Sequence, residues 1–129
     1  MAENTKMLLD REQFLRRRAE VAAPFEDVPV PEFGPGCVQR VLGLSMTDRT
    51  RWEMKVYTGR SGDRKVNARI IRETLLVATL VDETNAPMFT EADGPMLGEL
   101  PATVGERLFD AARRVSGMTE QDVEALGNA

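Results

Sequence analysis

Histidine is absent from this 129-residue chain, and cysteine occurs once, as Cys37. The first absence removes Ser-His-Asp and Cys-His catalysis and every metal site that depends on imidazole; the second removes an internal disulfide. A lone cysteine of this kind reads as a small buried hydrophobe rather than a reactive thiol. Aromatics are few, at 5% of residues, with one tryptophan and one tyrosine. No apolar run approaches the roughly 20 residues that cross a bilayer, and the opening MAENTKMLLD lacks the apolar core of about 7–15 residues of a signal peptide. The expected location is the cytoplasm. With 42% hydrophobic residues the chain is expected to fold as one domain spanning 1–129, with 1–9 flexible and 24–36 forming an extended Pro/Gly-rich arm.

The phosphate-cradling motif is missing too. GRSGDR at 59–64 contains two glycines but not the Gly, four residues, Gly-Lys-Ser/Thr spacing, and GPG at 34–36 lacks the third glycine of a dinucleotide fingerprint. The acidic stretch LVDETNAPMFTEADGPMLGEL, residues 80–100, fails as a calcium loop counted from Asp82: position 5 is Ala86, position 6 is Pro87 and position 12 is Asp93. A turn built on Asp82, Thr84, Asn85 and Pro87, followed by a helix start with Thr90 as cap and Asp93 as its reciprocal acid, explains the same residues. No cofactor, no metal and no catalytic residue is expected, and the chain is read as a non-enzyme.

Charge is present but uneven. Residues 47–72 hold eight bases (Arg49, Arg51, Lys55, Arg60, Arg64, Lys65, Arg69, Arg72) against three acids, an excess of five; the whole chain stands at minus four, so the remainder carries minus nine. A sequence pI near 5.0 argues against nucleic acid. The basic segment is either a solvated face or a patch that meets acid on another subunit or partner, with Arg49 and Arg51 as its candidate contacts.

Periodicity supplies the fold class. Asp10 and Gln13 have the spacing of a cap and its partner for a helix over 11–23, with Leu15, Ala19 and Ala22 on one stripe, Phe14 beside it, and Pro24 as its end. EDVPVPEFGPG suits an edge strand, because Pro29 and Pro31 cannot donate to a ladder. CVQRVLGL continues as a second strand with Val38 and Leu42 inward. A helix from Thr47 places Trp52 and Val56 one turn apart with Tyr57 beside them. KVNARIIRETLLVATLVD is divided into helix to about Arg72 and strand over 74–81, with a short return at Met88 and Phe89. Helices are expected at 91–98 and 102–115, the latter with Val104, Leu108, Ala111, Ala112 and Val115 as its stripe, and Thr119 caps a last one. The class is α+β: a small antiparallel sheet or hairpins packed with about five helices, and a helical C-terminal half.

A VPVPEFG arm leading to a strand and capped helix, an apolar run ending LVDE before a turn and MFTEAD, and a closing RLFDAARRVSGMTEQDVEAL follow one another in an order that resembles the phage tail assembly chaperones of long-tailed phages, over roughly residues 28–126. DETNAP stands where relatives carry a turn glycine. The resemblance implies a chaperone that binds the tape measure protein, helps recruit tail tube protein, works in the host cell cytoplasm and is absent from the mature virion. It also implies a frameshifted long form, for which the codons of Leu126, Gly127 and Asn128 can supply the slip heptamer G GGA AAC. The client surface is expected around Trp52, Tyr57 and Phe89, with Trp52 as core the competing reading. Met46, Met54, Met88, Met96 and Met118, near element ends, either line an adaptable apolar surface or fill the core. Self-association is a further expectation; membrane is not. The rival class is a virion structural protein, such as a tail terminator or head-tail connector subunit, in which the arm would add as a strand to a neighbour.

Overall fold

The computed structural model describes residues 6–58, 65–67, 70–119 and 121–122. Among these the elements run α1 (Arg11–Arg18), β1 (Phe25–Pro29), β2 (Val38–Leu42), α2 (Met46–Val56), β3 (Tyr57–Thr58), β4 (Lys65–Val66), α3 (Ile71–Thr79), β5 (Leu80–Val81), α4 (Gly94–Leu97) and α5 (Ala102–Val115), with 3-10 turns at Pro31–Phe33 and Glu91–Asp93. Strands β1, β2 and β5 form an antiparallel sheet in that order, and β3 pairs with β4 as a separate hairpin. The α+β class expected from periodicity is the class observed.

Helix α5 organises the core because its apolar positions fall at helical spacing: Val104, Leu108, Ala111, Ala112 and Val115 are all buried, as the sequence pattern requires. It packs on β1 and β2 through Val28, Val30 and Val41, and on α3 through Leu75 and Leu76. Each Val or Leu so removed from water contributes about 1.5–3 kcal/mol. At the end of α5, Gly43 of the chain leaving β2 lies so close that a Cβ there would meet the Val115 carbonyl oxygen at 2.1 Å. Only glycine fits, and the Leu44 N–H beside it donates to Ser116 Oγ at 3.2 Å.

Five expectations are corrected, the first being the burial of Cys37, which is exposed beside Gly36 where the chain turns into β2. The apolar run TLLVATLV is mostly helix: α3 extends from Ile71 to Thr79, and the strand is reduced to Leu80–Val81. Ile71, Leu75 and Thr79 recur every fourth residue and are buried, and Thr79, the one buried polar side chain among the described residues, returns its hydroxyl to the Leu75 carbonyl at 2.8 Å. The parity of β2 is the reverse of that expected, with Val41 buried and Val38 58% exposed. The return strand at Met88 and Phe89 is a single bridge between Val81 and Pro87. Helix α1 stops at Arg18 rather than reaching Pro24, and none of its residues is buried. The helix capped by Thr119 is described only at its start, where Thr119 and Asp122 exchange hydrogen bonds at 2.9 and 3.0 Å.

Candidate interaction surfaces

Helix α3 is apolar nearly all round, with Arg72 and Glu73 its only charged residues. Its buried side is covered by α4 and α5, whereas Ile70, Thr74, Val77 and Ala78, at helical spacing on another side, are not buried. These residues floor two adjoining depressions of about 390 and 220 Å³ that share Lys55, Thr74 and Val77. Asp48, Arg51 and Lys55 of α2 form one wall of this groove; Glu91, Gly94 and Pro95 form the other, beyond α3. Lys55 and Glu91 join across it as an ion pair, and the Lys55 ammonium holds the Glu91 carboxyl below its ordinary value by hydrogen bonding to it. Both partners are substantially exposed, so the pair contributes little to stability and opens readily.

Trp52 is 2% exposed and donates from Nε1 to Thr74 Oγ1 at 2.9 Å, so the only tryptophan is a core residue whose edge lines the smaller depression. Tyr57 and Phe89 are half-buried against the same core. Trp52 is therefore covered while Tyr57 and Phe89 are each partly accessible, which is not the open aromatic surface expected. Met46, Met54, Met88 and Met96 are exposed, between 46% and 89%, while Met118 is buried. The basic segment is broken up by pairing: Arg51 reaches Asp48 at 3.3 Å, Arg72 reaches Glu106 at 2.6 Å and stacks over Phe109, and Arg49 contributes to lowering the Asp122 carboxyl, mainly held down by hydrogen bonds from Thr119. Arg60, Arg64 and Arg69 lie outside the described residues, as do the Leu126–Asn128 codon positions.

The Pro/Gly-rich segment 24–36 folds back on itself around Gly34 and Gly36, at φ 137° and 76°, and is fastened to α5. Arg107 and Arg114, two turns apart on α5, grip Glu32 (2.8 and 2.8 Å) and Glu26 (2.9 and 2.9 Å) in bidentate pairs. The guanidinium of Arg107 pulls the Glu32 carboxyl down to about 2, and that of Arg114 lowers Glu26. The bonds Gly43 N–H to Pro24 O and Val30 N–H to Cys37 O fix which β1 residues face β2, leaving the backbone groups of Phe25 and Asp27 on the free edge. Pro29 has no N–H to offer there, and its carbonyl accepts from Arg107.

The sheet face away from α5 carries Phe25, Asp27, Val38 and Arg40. Arg40 binds Asp27 at 2.8 and 3.1 Å, stacks over the Phe25 ring and reaches the Glu83 carbonyl and Asn85 Oδ1. Asp82 organises the adjoining turn as the sequence suggests: its carboxylate accepts from the Thr84 hydroxyl and from the N–H groups of Thr84 and Ala86, which lowers its pKa, and Asn85 takes φ 66°. The alternation of β1 and β2 predicts that one face is open, but the groove over α3 has no local signature, since it exists only where α2 and the 91–95 segment flank that helix.

No protein-family model matches the chain, and no curated protein matches it in sequence. Among solved structures, its fold is similar to that of the bacteriophage HK97 tail assembly chaperone, at 20% identity and a TM-score of 0.53, over 84% of this chain and 99% of that one.

Proposed function

We propose that this chain is a non-enzymatic tail assembly chaperone that holds apolar helices of a tape measure protein in solution and helps recruit tail tube subunits during tail assembly. The observation that carries the reading is the groove over α3: an apolar floor of Ile70, Val77 and Ala78, charged walls, and a labile Lys55–Glu91 strap across it. Such a site suits one face of an amphipathic helix. The fold shared with a tail assembly chaperone supports the same reading. Arg49 and Arg51 at the α2 side would supply electrostatic steering, and Tyr57 and Phe89 would border the contact while Trp52 supports it from beneath. The chain would act in the host cytoplasm, be left out of the finished particle, and be accompanied by a frameshifted longer form.

A structural role in the virion is the second reading, favoured by the free edge of β1 at Phe25 and Asp27, to which a neighbour's strand could add. Quantitative mass spectrometry of purified particles separates the two. The chaperone reading expects the chain to be absent or far below stoichiometric; one copy per tail ring or per connector position would overturn it.

A further inference from the structure

Helix α1 is closed by its own capping box between Asp10 and Gln13, yet it buries nothing. Leu8 is 96% exposed and Phe14 58%. Eight residues fall short of the roughly 12–15 at which an isolated helix is even marginal in water. With none of its residues buried, the helix draws little stabilisation from its own body and leaves Leu8 and Phe14 open to another surface. Its charge indicates which kind. Residues 6–18 hold five bases and two acids, an excess of three; with the chain at minus four, the remainder carries minus seven. Among the described residues Arg11, Arg16, Arg17 and Arg18 enter no ion pair, and Arg17 reaches only the Met7 sulfur at 3.5 Å.

The matching surface is on the same molecule. Among the described residues, a cleft of about 290 Å³ at the open sheet face is lined by Val38, Val81 and Met88 together with Asp27, Asp82 and Glu83 and a single base, Arg40. Asp27 already occupies Arg40 Nε and Nη2, so three carboxylates against one arginine leave the cleft at minus two. We propose that the basic arm of one copy, residues 6–18, docks in the acid-rimmed cleft of a second copy. Leu8, Phe14 and Leu15 bring apolar surface to Val38 and Met88, and Arg16–Arg18 meet Glu83 and Asp82. Arm and cleft are different surfaces, so the contact is head-to-tail and builds rings or open chains. The proposal concerns the chain alone and stands apart from the identity of any client.

Sedimentation velocity on the full chain tests it, over a range of protein concentration at low and high salt. Wild type is expected to self-associate, more weakly at high salt because exposed charges are screened over about 8 Å at physiological ionic strength. Reversal of the arm (Arg16→Glu, Arg17→Glu, Arg18→Glu) and, separately, Glu83→Lys each weaken association by about tenfold or more, with melting unchanged because neither site is in the core. Mixed together, the two variants associate more tightly than either does alone, since one retains the cleft and the other the arm. A monomeric wild type, an oligomer indifferent to either variant, or a mixture that does not pair would each overturn the proposal.

Discussion

Replacing Trp52 with alanine separates support from contact. The indole is 2% exposed and its N–H is used internally by Thr74 Oγ1, whose own hydrogen goes to the Ile70 carbonyl. Truncation removes a large core side chain that joins α2 to α3, at about 3–5 kcal/mol. Against a total of about 5–15 kcal/mol for a domain this size, that is a substantial fraction. For a chain between the size classes in which 1 kcal/mol moves Tm by about 2–4 and 4–8 °C, the shift is about 10–25 °C. Trp52→Phe keeps most of the packing and leaves the Thr74 hydroxyl bonded to Ile70, so it costs about 1–2 kcal/mol. Far-UV circular dichroism during thermal and urea unfolding is the assay, because the substitution removes the only tryptophan fluorophore. A loss below about 1 kcal/mol for Trp52→Ala would refute the core assignment.

Two glycine substitutions should differ in sign: Gly43→Ala forces a Cβ against the Val115 carbonyl and costs about 1–3 kcal/mol, whereas Gly105→Ala inside α5, where the nearest atom is Leu100 Cβ at 4.0 Å, gains up to about 1 kcal/mol in urea midpoints. The Glu32 carboxyl, held at about 2 against an ordinary 4.5, contributes stability that is complete above about pH 4.5 and is lost as pH falls towards 2; Glu32→Gln should flatten the urea midpoint across that window, and an unchanged slope would show that Arg107 does not hold it. Reversing Arg49 and Arg51 to glutamate should slow client association and reduce its dependence on salt, readable by stopped-flow mixing at two ionic strengths.

Elements with contrast between their faces were legible in the sequence. The α5 stripe stands out because Glu106, Arg107 and Arg113 separate its apolar positions, and the Asp10–Gln13 and Thr90–Asp93 boxes are local patterns that need no tertiary information. TLLVATLV misleads because a helix apolar on both sides has no contrast to reveal its period, and its length is that of a buried strand. The parity of β2 could not be fixed from CVQRVLGL, since Val38, Val41 and Leu42 offer apolar residues to both faces and α5 decides which is covered. Phe14 and Leu15 mislead for the opposite reason: the pattern predicts a buried stripe, and among the described residues nothing covers α1 enough to bury it. The groove was out of reach because Ile70, Lys55 and Glu91 meet only after three elements have packed.

Co-purification of the full chain with a phage tape measure protein, comparing wild type with Ala78→Asp, tests the central claim most directly. Ala78 is exposed on the groove floor in the last turn of α3, so a carboxylate there costs about 1 kcal/mol in helix propensity and dipole energy without disturbing the core, while opposing an apolar helix. The account predicts a soluble complex for wild type and its loss for Ala78→Asp at temperatures well below a Tm lowered by only a few degrees. A wild type that leaves the tape measure protein insoluble and unbound, or a variant that binds it as well as wild type does, would contradict it.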